Sequence, residues 1–204
     1  MAGPTLHTEV HILQKAPPKE AFQPATAYSA EHGTLRILQR VPRKPTPNHI
    51  GLDLFDHAAL ILDAGSGGTW FVKEVRLLHR HTGIGQNYRR LQHASTFTAL
   101  IARNPVHEES RESVDALLHT ALHAFATSDR PDIVGFKSLY CFARDEGYPL
   151  KQHWYPTLPR DDRTDLAALL NQPVAELVTS TDRVAHLQRR LEDYLRGHTD
   201  ILVE

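Results

Sequence analysis

The apolar pattern of this 204-residue chain changes period once, near residue 82, and that change constrains the fold more than any motif. Before it, apolar residues alternate or form short runs bounded by turn residues, the signature of strands. After it, they recur every three or four residues, the signature of amphipathic helices. A chain with its strands first and its helices second reads as α+β.

In the strand-like part, Leu6 to Gln14 alternates and is broken by Ala16-Pro17-Pro18. A second run ends at Tyr28, and a tight turn follows at Glu31-His32-Gly33. Thr34 to Val41 then sets Leu35, Ile37 and Gln39 on one face and Arg36, Leu38 and Arg40 on the other. Leu52 to Ala64 reads as one long apolar strand. Gly65-Ser66-Gly67-Gly68 turns it back into Thr69 to Leu78, with Trp70, Val72 and either Val75 or Leu77 directed to a core. Five meandering strands in about 80 residues fit a small barrel of the OB type. The expected N-terminal OB-type β-barrel covers residues 1–81.

Residues 82–204 read as an α-helical bundle. Tyr88 to Ile101 keeps helical spacing until Asn104-Pro105 stops it. Val114 to Phe125 and Ile133 to Ala143 mark two more helices, the latter closed by Gly147 and Pro149. An extended segment is expected near 149–160. Two final helices follow, near 162–171 and 182–197. Asp161-Asp162 reads as the cap of the first and Thr181 or Asp182 as the cap of the second.

The net charge of −1 conceals an asymmetry. Residues 1–80 carry 9 Lys/Arg against 7 Asp/Glu, whereas residues 157–204 carry 6 against 9. Only the strand-rich part is net basic, and weakly so for a protein that depends on phosphate contacts. No apolar run reaches the roughly 18 residues of a spanning helix. The first residues lack the basic start and apolar centre of a signal peptide, so a cytoplasmic protein is expected. One cysteine, Cys141, provides neither an internal disulfide nor a cysteine zinc site, and reads as a buried thiol.

Arg36, Arg40, Arg43 and Lys44 gather on one strand and the proline-broken loop after it, with Lys73 and Arg76 on a neighbouring strand. Such a hairpin offers cations to a phosphate backbone, or is a solvated strand face. Phe22, Tyr28, Phe55, Trp70 and Phe71 are the aromatics able to stack on bases. Trp70 and Phe71 are adjacent on a strand, so one of them faces outward.

The histidine pairs His119/His123, His79/His81 and His7/His11 read as surface residues, and neither a metal nor another cofactor is expected. Gly65-Ser66-Gly67-Gly68 joins strands and opens no helix, so it is not a phosphate-binding loop. No nucleophile elbow occurs. Catalysis is not expected.

The stretch Glu31-His32-Gly33-Thr34-Leu35 with the basic loop behind it resembles the RecO family of DNA-repair mediators. So do Phe136 to Leu150, with Gly147-Tyr148-Pro149 at its end, and the closing segments Leu166–Asn171 and Leu187–Leu195. The chain departs from the family in two places. Gln152-His153-Trp154-Tyr155 stands where many members begin a four-cysteine zinc module. Gly197-His198-Thr199-Asp200 replaces a basic ending. The resemblance implies a non-enzymatic mediator that binds single-stranded and duplex DNA, anneals strands and loads a recombinase. It also implies a ring-forming RecR-type partner and the acidic, apolar-ended tail of the single-strand-binding protein. That tail calls for an apolar pocket rimmed by a cation, with Arg89, Arg90 and Arg103, or Lys137 and Arg144, as candidates. The alternatives are a RecO-like interaction adaptor without strong DNA binding and, third, a small metal-dependent or nucleotide-handling enzyme.

Overall fold

A computed structural model describes residues 3–42, 44 and 49–203. The chain is α+β, with five strands followed by helices, in two compact units: Met1–His81 with Pro105–Leu118, and Thr82–Asn104 with His119–Glu204.

The strands of the first unit are β1 (Thr5–Lys15), β2 (Phe22–Ser29), β3 (Gly33–Arg40), β4 (His57–Ala64) and β5 (Thr69–His79). Each pairs with two neighbours in the order β1-β2-β3-β5-β4, and β4 returns to β1, so the sheet closes on itself. All pairings are antiparallel except β3 with β5. Strand alternation then sorts the side chains. Val10, Ile12, Ala27, Leu35, Ile37, Ala58, Leu60 and Leu62 fill the interior, with Trp70, Val72 and Val75 packed against them. Of the two candidates on β5, Val75 therefore joins this core. Gly33, Gly67 and Gly68 take positive φ at the β2–β3 and β4–β5 turns, where a Cβ would be strained.

Gln39 is an interior residue for a polar reason. Its amide donates to the Ile50 carbonyl at 2.7 Å and accepts the Leu52 N–H at 2.9 Å, so it is buried but paired. The long strand expected from Leu52 begins only at His57. Phe55 is buried at a φ of 67°, and the Asp56 carboxylate accepts the Asp53 N–H at 2.7 Å. These two features turn the chain before β4 starts.

The helices are α1 (Thr82–Gly85), α2 (Tyr88–Arg103), α3 (Arg111–Thr127), α4 (Pro131–Asp145), α5 (Leu150–His153), α6 (Arg160–Asn171) and α7 (Thr181–His198). Residues of α3 up to Leu118 count with the first unit. Asn87 caps α2 through its side-chain oxygen. Gly147 ends α4 at a φ of 89°, with its N–H on Arg144 and that of Tyr148 on Ala143. A Cβ at Gly83 would run into the carbonyl of Ala126. No described helix is long and apolar enough to cross a membrane.

Three expectations for this part are corrected. The segment near 149–160 is not extended: α5 and a tight turn at Tyr155–Thr157 occupy it. Leu150, Trp154 and Leu158, spaced by four, bury their side chains and drive the winding. Ser180, rather than Thr181 or Asp182, caps α7, accepting the Arg183 N–H. Asp162 caps nothing. It is buried and takes Arg183 at 2.8 Å, His186 at 3.2 Å and Arg190 at 3.4 Å.

Candidate nucleic-acid interface

Registered pairs across β2, β3 and β5 place three rows on the outer face of the sheet. Thr26, Arg36 and Thr69 form one; Pro24, Leu38 and Phe71 the next; Phe22 and Arg40 the third. Phe71 is thus the outward member of the Trp70-Phe71 pair, exposed at 37%, while Trp70 packs inward. The rings of Phe22 and Phe71 meet edge-on with centroids 5.4 Å apart. Gly65 makes room for this arrangement: a Cβ there would lie 2.7 Å from the Phe71 ring.

Arg36, Arg40 and Lys44 are exposed, and among the described residues no carboxylate pairs with them. Arg40 and Lys73 line one groove with His49 and a single carboxylate, Glu74. Lys73 is partly committed, since it pairs with Asp63 at 3.2 Å. Arg43 lies outside the described residues. Arg76 stands apart. It faces outward opposite Ala59, on a groove shared with Glu9, Glu31 and Glu74, whose negative charge repels phosphate. The face therefore combines two aromatic rings with neighbouring guanidinium groups, whereas Arg76 belongs to other surroundings.

The histidines divide. His7, His79, His119 and His123 are exposed. His11 and His81, expected at the surface, are buried. His11 stacks on His57 with centroids 4.4 Å apart and lies 3.6 Å from Asp115, contacts made on the covered side of β1. Cys141 is half-buried, and burial raises its thiol pKa, which keeps it protonated and weakly reactive.

The second unit contains a cleft of about 390 Å³ between α2, α4 and α7. Phe97, Leu100, Leu139, Val184 and Val203 give it apolar walls; His93, Asp132, Arg189 and Glu192 are polar lining. Burial lowers the His93 pKa, favouring the neutral ring. Gly135 lets α4 approach α2, since a Cβ there would sit 3.2 Å from His93 Nδ1.

None of the five cations expected at such a pocket lines it. Arg90 is spent on structure, donating to the carbonyls of Ser128, Ala126 and Thr127 at the end of α3 and to Asp129. Lys137 donates to the Gln172 carbonyl, and Arg144 pairs with Asp145. Arg89 and Arg103 are exposed on α2 and do not line the cleft, although Arg89 is near enough to His93 to act on its charge. The basic lining residue is Arg189. Its place follows from α7: it lies one residue before Arg190 and four after Ala185, on the side of the helix next to the Val184–Leu187–Leu191 stripe.

No family model matches the chain, and no curated protein matches it.

Proposed function

We propose that the chain is a RecO-like mediator, its closed sheet an OB-type barrel that binds single-stranded DNA across β2, β3 and β5. The observation that carries this reading is the outward Phe71, in the row between those of Arg36 and Arg40, with Phe22 edge-on to it beside Arg40 on one sheet face. Rings stack on bases without reading sequence, and the guanidinium groups take the phosphates on either side. Duplex DNA meets the same cations through its backbone alone. The resemblance adds a RecR-type partner and the acidic tail of a single-strand-binding protein. The α2–α4–α7 cleft is the candidate receptor for such a tail, with apolar walls and Arg189 in its lining beside Asp132 and Glu192.

The test is fluorescence anisotropy on a labelled single-stranded oligonucleotide at several salt concentrations. Wild type should show a steep negative slope of log affinity against log salt. Replacing Arg36, Arg40 and Lys44 together with Ala should flatten it by roughly 0.7 per lost contact. A wild type that does not bind at low salt defeats the DNA reading. An interaction adaptor working through the cleft is the second reading, favoured by the net charge of −1.

A further inference from the structure

Three ring-bearing side chains stand in register across the sheet: Tyr28 of β2 is paired with His11 of β1, and His11 with His57 of β4. Residues directly opposite on paired strands share a face. Their chain neighbours Ala27, Val10 and Ala58 fill the interior, so this row lies on the outer face. The start of α3 covers it. The Tyr28 hydroxyl donates to the Arg111 carbonyl at 3.1 Å, and Asp115 brings a carboxylate oxygen 3.6 Å from His11 Nε2. Under that cover the His11 side chain is 1% exposed and that of His57 17%. The two imidazoles stack with centroids 4.4 Å apart. An apolar pair would pack this seam without taking polar rings out of water.

α3 runs unbroken past Leu118, and His119 follows Asp115 by one turn, on the same side of the helix. One ligand-capable atom from each of His11, His57 and His119 lies within 4.8 Å of the other two. Two carboxylates flank the set: Asp115 at His11, and Glu9 with an oxygen 3.6 Å from His57 Nε2. Their charge favours a cation among the imidazoles.

We propose that His11, His57 and His119 bind a zinc-type divalent ion. Three imidazoles with water in the fourth position are a donor set that zinc takes, and imidazole suits such borderline ions generally. Zinc–nitrogen bonds of about 2.0 Å put tetrahedral ligand atoms roughly 3.3 Å apart, so the rings close in by about 1.5 Å at most. Asp115 and Glu9 are positioning residues. Each takes the Nε2 side of a ligating ring, which turns Nδ1 of His11 and of His57 to the ion. Bound there, the ion ties α3 to β1 and β4. The site uses none of the residues of the Phe22–Phe71 face and does not rest on the DNA reading.

The test uses untagged full-length protein, stripped with a chelator and titrated with zinc in a calorimeter and with cobalt for its visible spectrum. Wild type should take one equivalent of zinc, and cobalt should give the visible bands of a tetrahedral site. His57→Gln should abolish that binding. Asp115→Asn should weaken it by about 10–100-fold, the effect of losing an outer-shell partner. Thermal unfolding of the metal-free variants checks that they fold. Asp115→Asn, on a side chain that is 34% exposed, serves if His57→Gln does not. His123→Gln tests the competing site, because His123 is exposed one turn beyond His119 and two such histidines can hold zinc on a helix surface. It should leave affinity and spectrum unchanged. Binding that is lost in His123→Gln and kept in His57→Gln and Asp115→Asn belongs to the surface pair and overturns the proposal. So does a wild type that takes no zinc, or equal affinity in wild type and every variant.

Discussion

Arg80 holds the carboxylate of Asp56 with two hydrogen bonds, Nε to Oδ1 at 2.8 Å and Nη2 to Oδ2 at 2.6 Å, and donates to the Gly51 carbonyl at 2.8 Å as well. Asp56 is fully buried, whereas the Arg80 side chain is 39% exposed. Removing the guanidinium strands a charge inside the turn that precedes β4. Arg80→Ala should cost about 2–4 kcal/mol, short of the fullest penalty because water reaches the site from the arginine side. Arg80→Lys keeps the charge but not the fork, and should fall between. Urea unfolding of both variants measures this; a loss under ~1 kcal/mol for Ala would show that Asp56 finds other partners.

Phe71 should matter to DNA binding out of proportion to its contribution to stability. Phe71→Ala removes an outward ring, so affinity for single strands should drop by about 1–3 kcal/mol, equally for all base compositions, with the salt slope unchanged. Gly65→Ala should push the same ring aside and give part of the effect. Anisotropy separates this from the arginine variants, which change the slope. A Phe71 variant with wild-type affinity would take the aromatic pair out of the site.

Asp162 should make the second unit acid-sensitive. Burial alone raises its carboxyl pKa, but the hydrogen bonds from Arg183 and His186 outweigh that and hold it below the usual 3.8. A folded value below the unfolded one means stabilisation that is complete above the unfolded pKa and is lost as pH falls through the folded one. Wild type should therefore exceed Asp162→Asn in stability at neutral pH, and the gap should narrow from about pH 5 downward. Denaturation midpoints across that range give the answer. A constant gap down to strong acid would mean the ion pairs are not what stabilises this corner.

Phe136 is wholly buried on α4, among the largest side chains without solvent contact. Phe136→Ala should destabilise by about 3–5 kcal/mol through lost transfer energy and an unfilled cavity. Calorimetry or urea unfolding reads it directly, and a change under ~1 kcal/mol would show that the surrounding helices collapse onto the gap.

Much of the fold was legible because backbone rules act locally. The change of period at residue 82, the positive-φ glycines at the β2–β3 and β4–β5 turns and the Gly147 helix end are all written in single residues or short spacings. What was not legible depends on partners distant in sequence. Gln39 alternates into the core, but its reason is a backbone segment 11–13 residues away. Asp162 looks like a cap and is instead claimed by a helix that starts about twenty residues later. Leu150, Trp154 and Leu158 carried a readable four-residue spacing that Pro149, Pro156 and the intervening polar residues obscured. The site divides the same way. Arg36 and Arg40 follow from strand alternation. The outward choice of Phe71 over Trp70 required the register, and Arg189 required knowing which three helices form a cleft.

The Gln39 amide has a consequence for how this sheet can vary. It ties Ile50 and Leu52 to the end of β3, so the chain leaves the sheet at Arg40 and returns beside it. Whatever joins those two points is relieved of holding them together. Closing a longer connection costs only about 0.6 kcal/mol per doubling of its length. The stretch between Val41 and His49 is therefore the place where residues can be inserted, or a foreign peptide grafted, with the sheet keeping its register. Lengthened there, the chain would gain surface beside β3 while leaving the Phe22–Phe71 face where it stands.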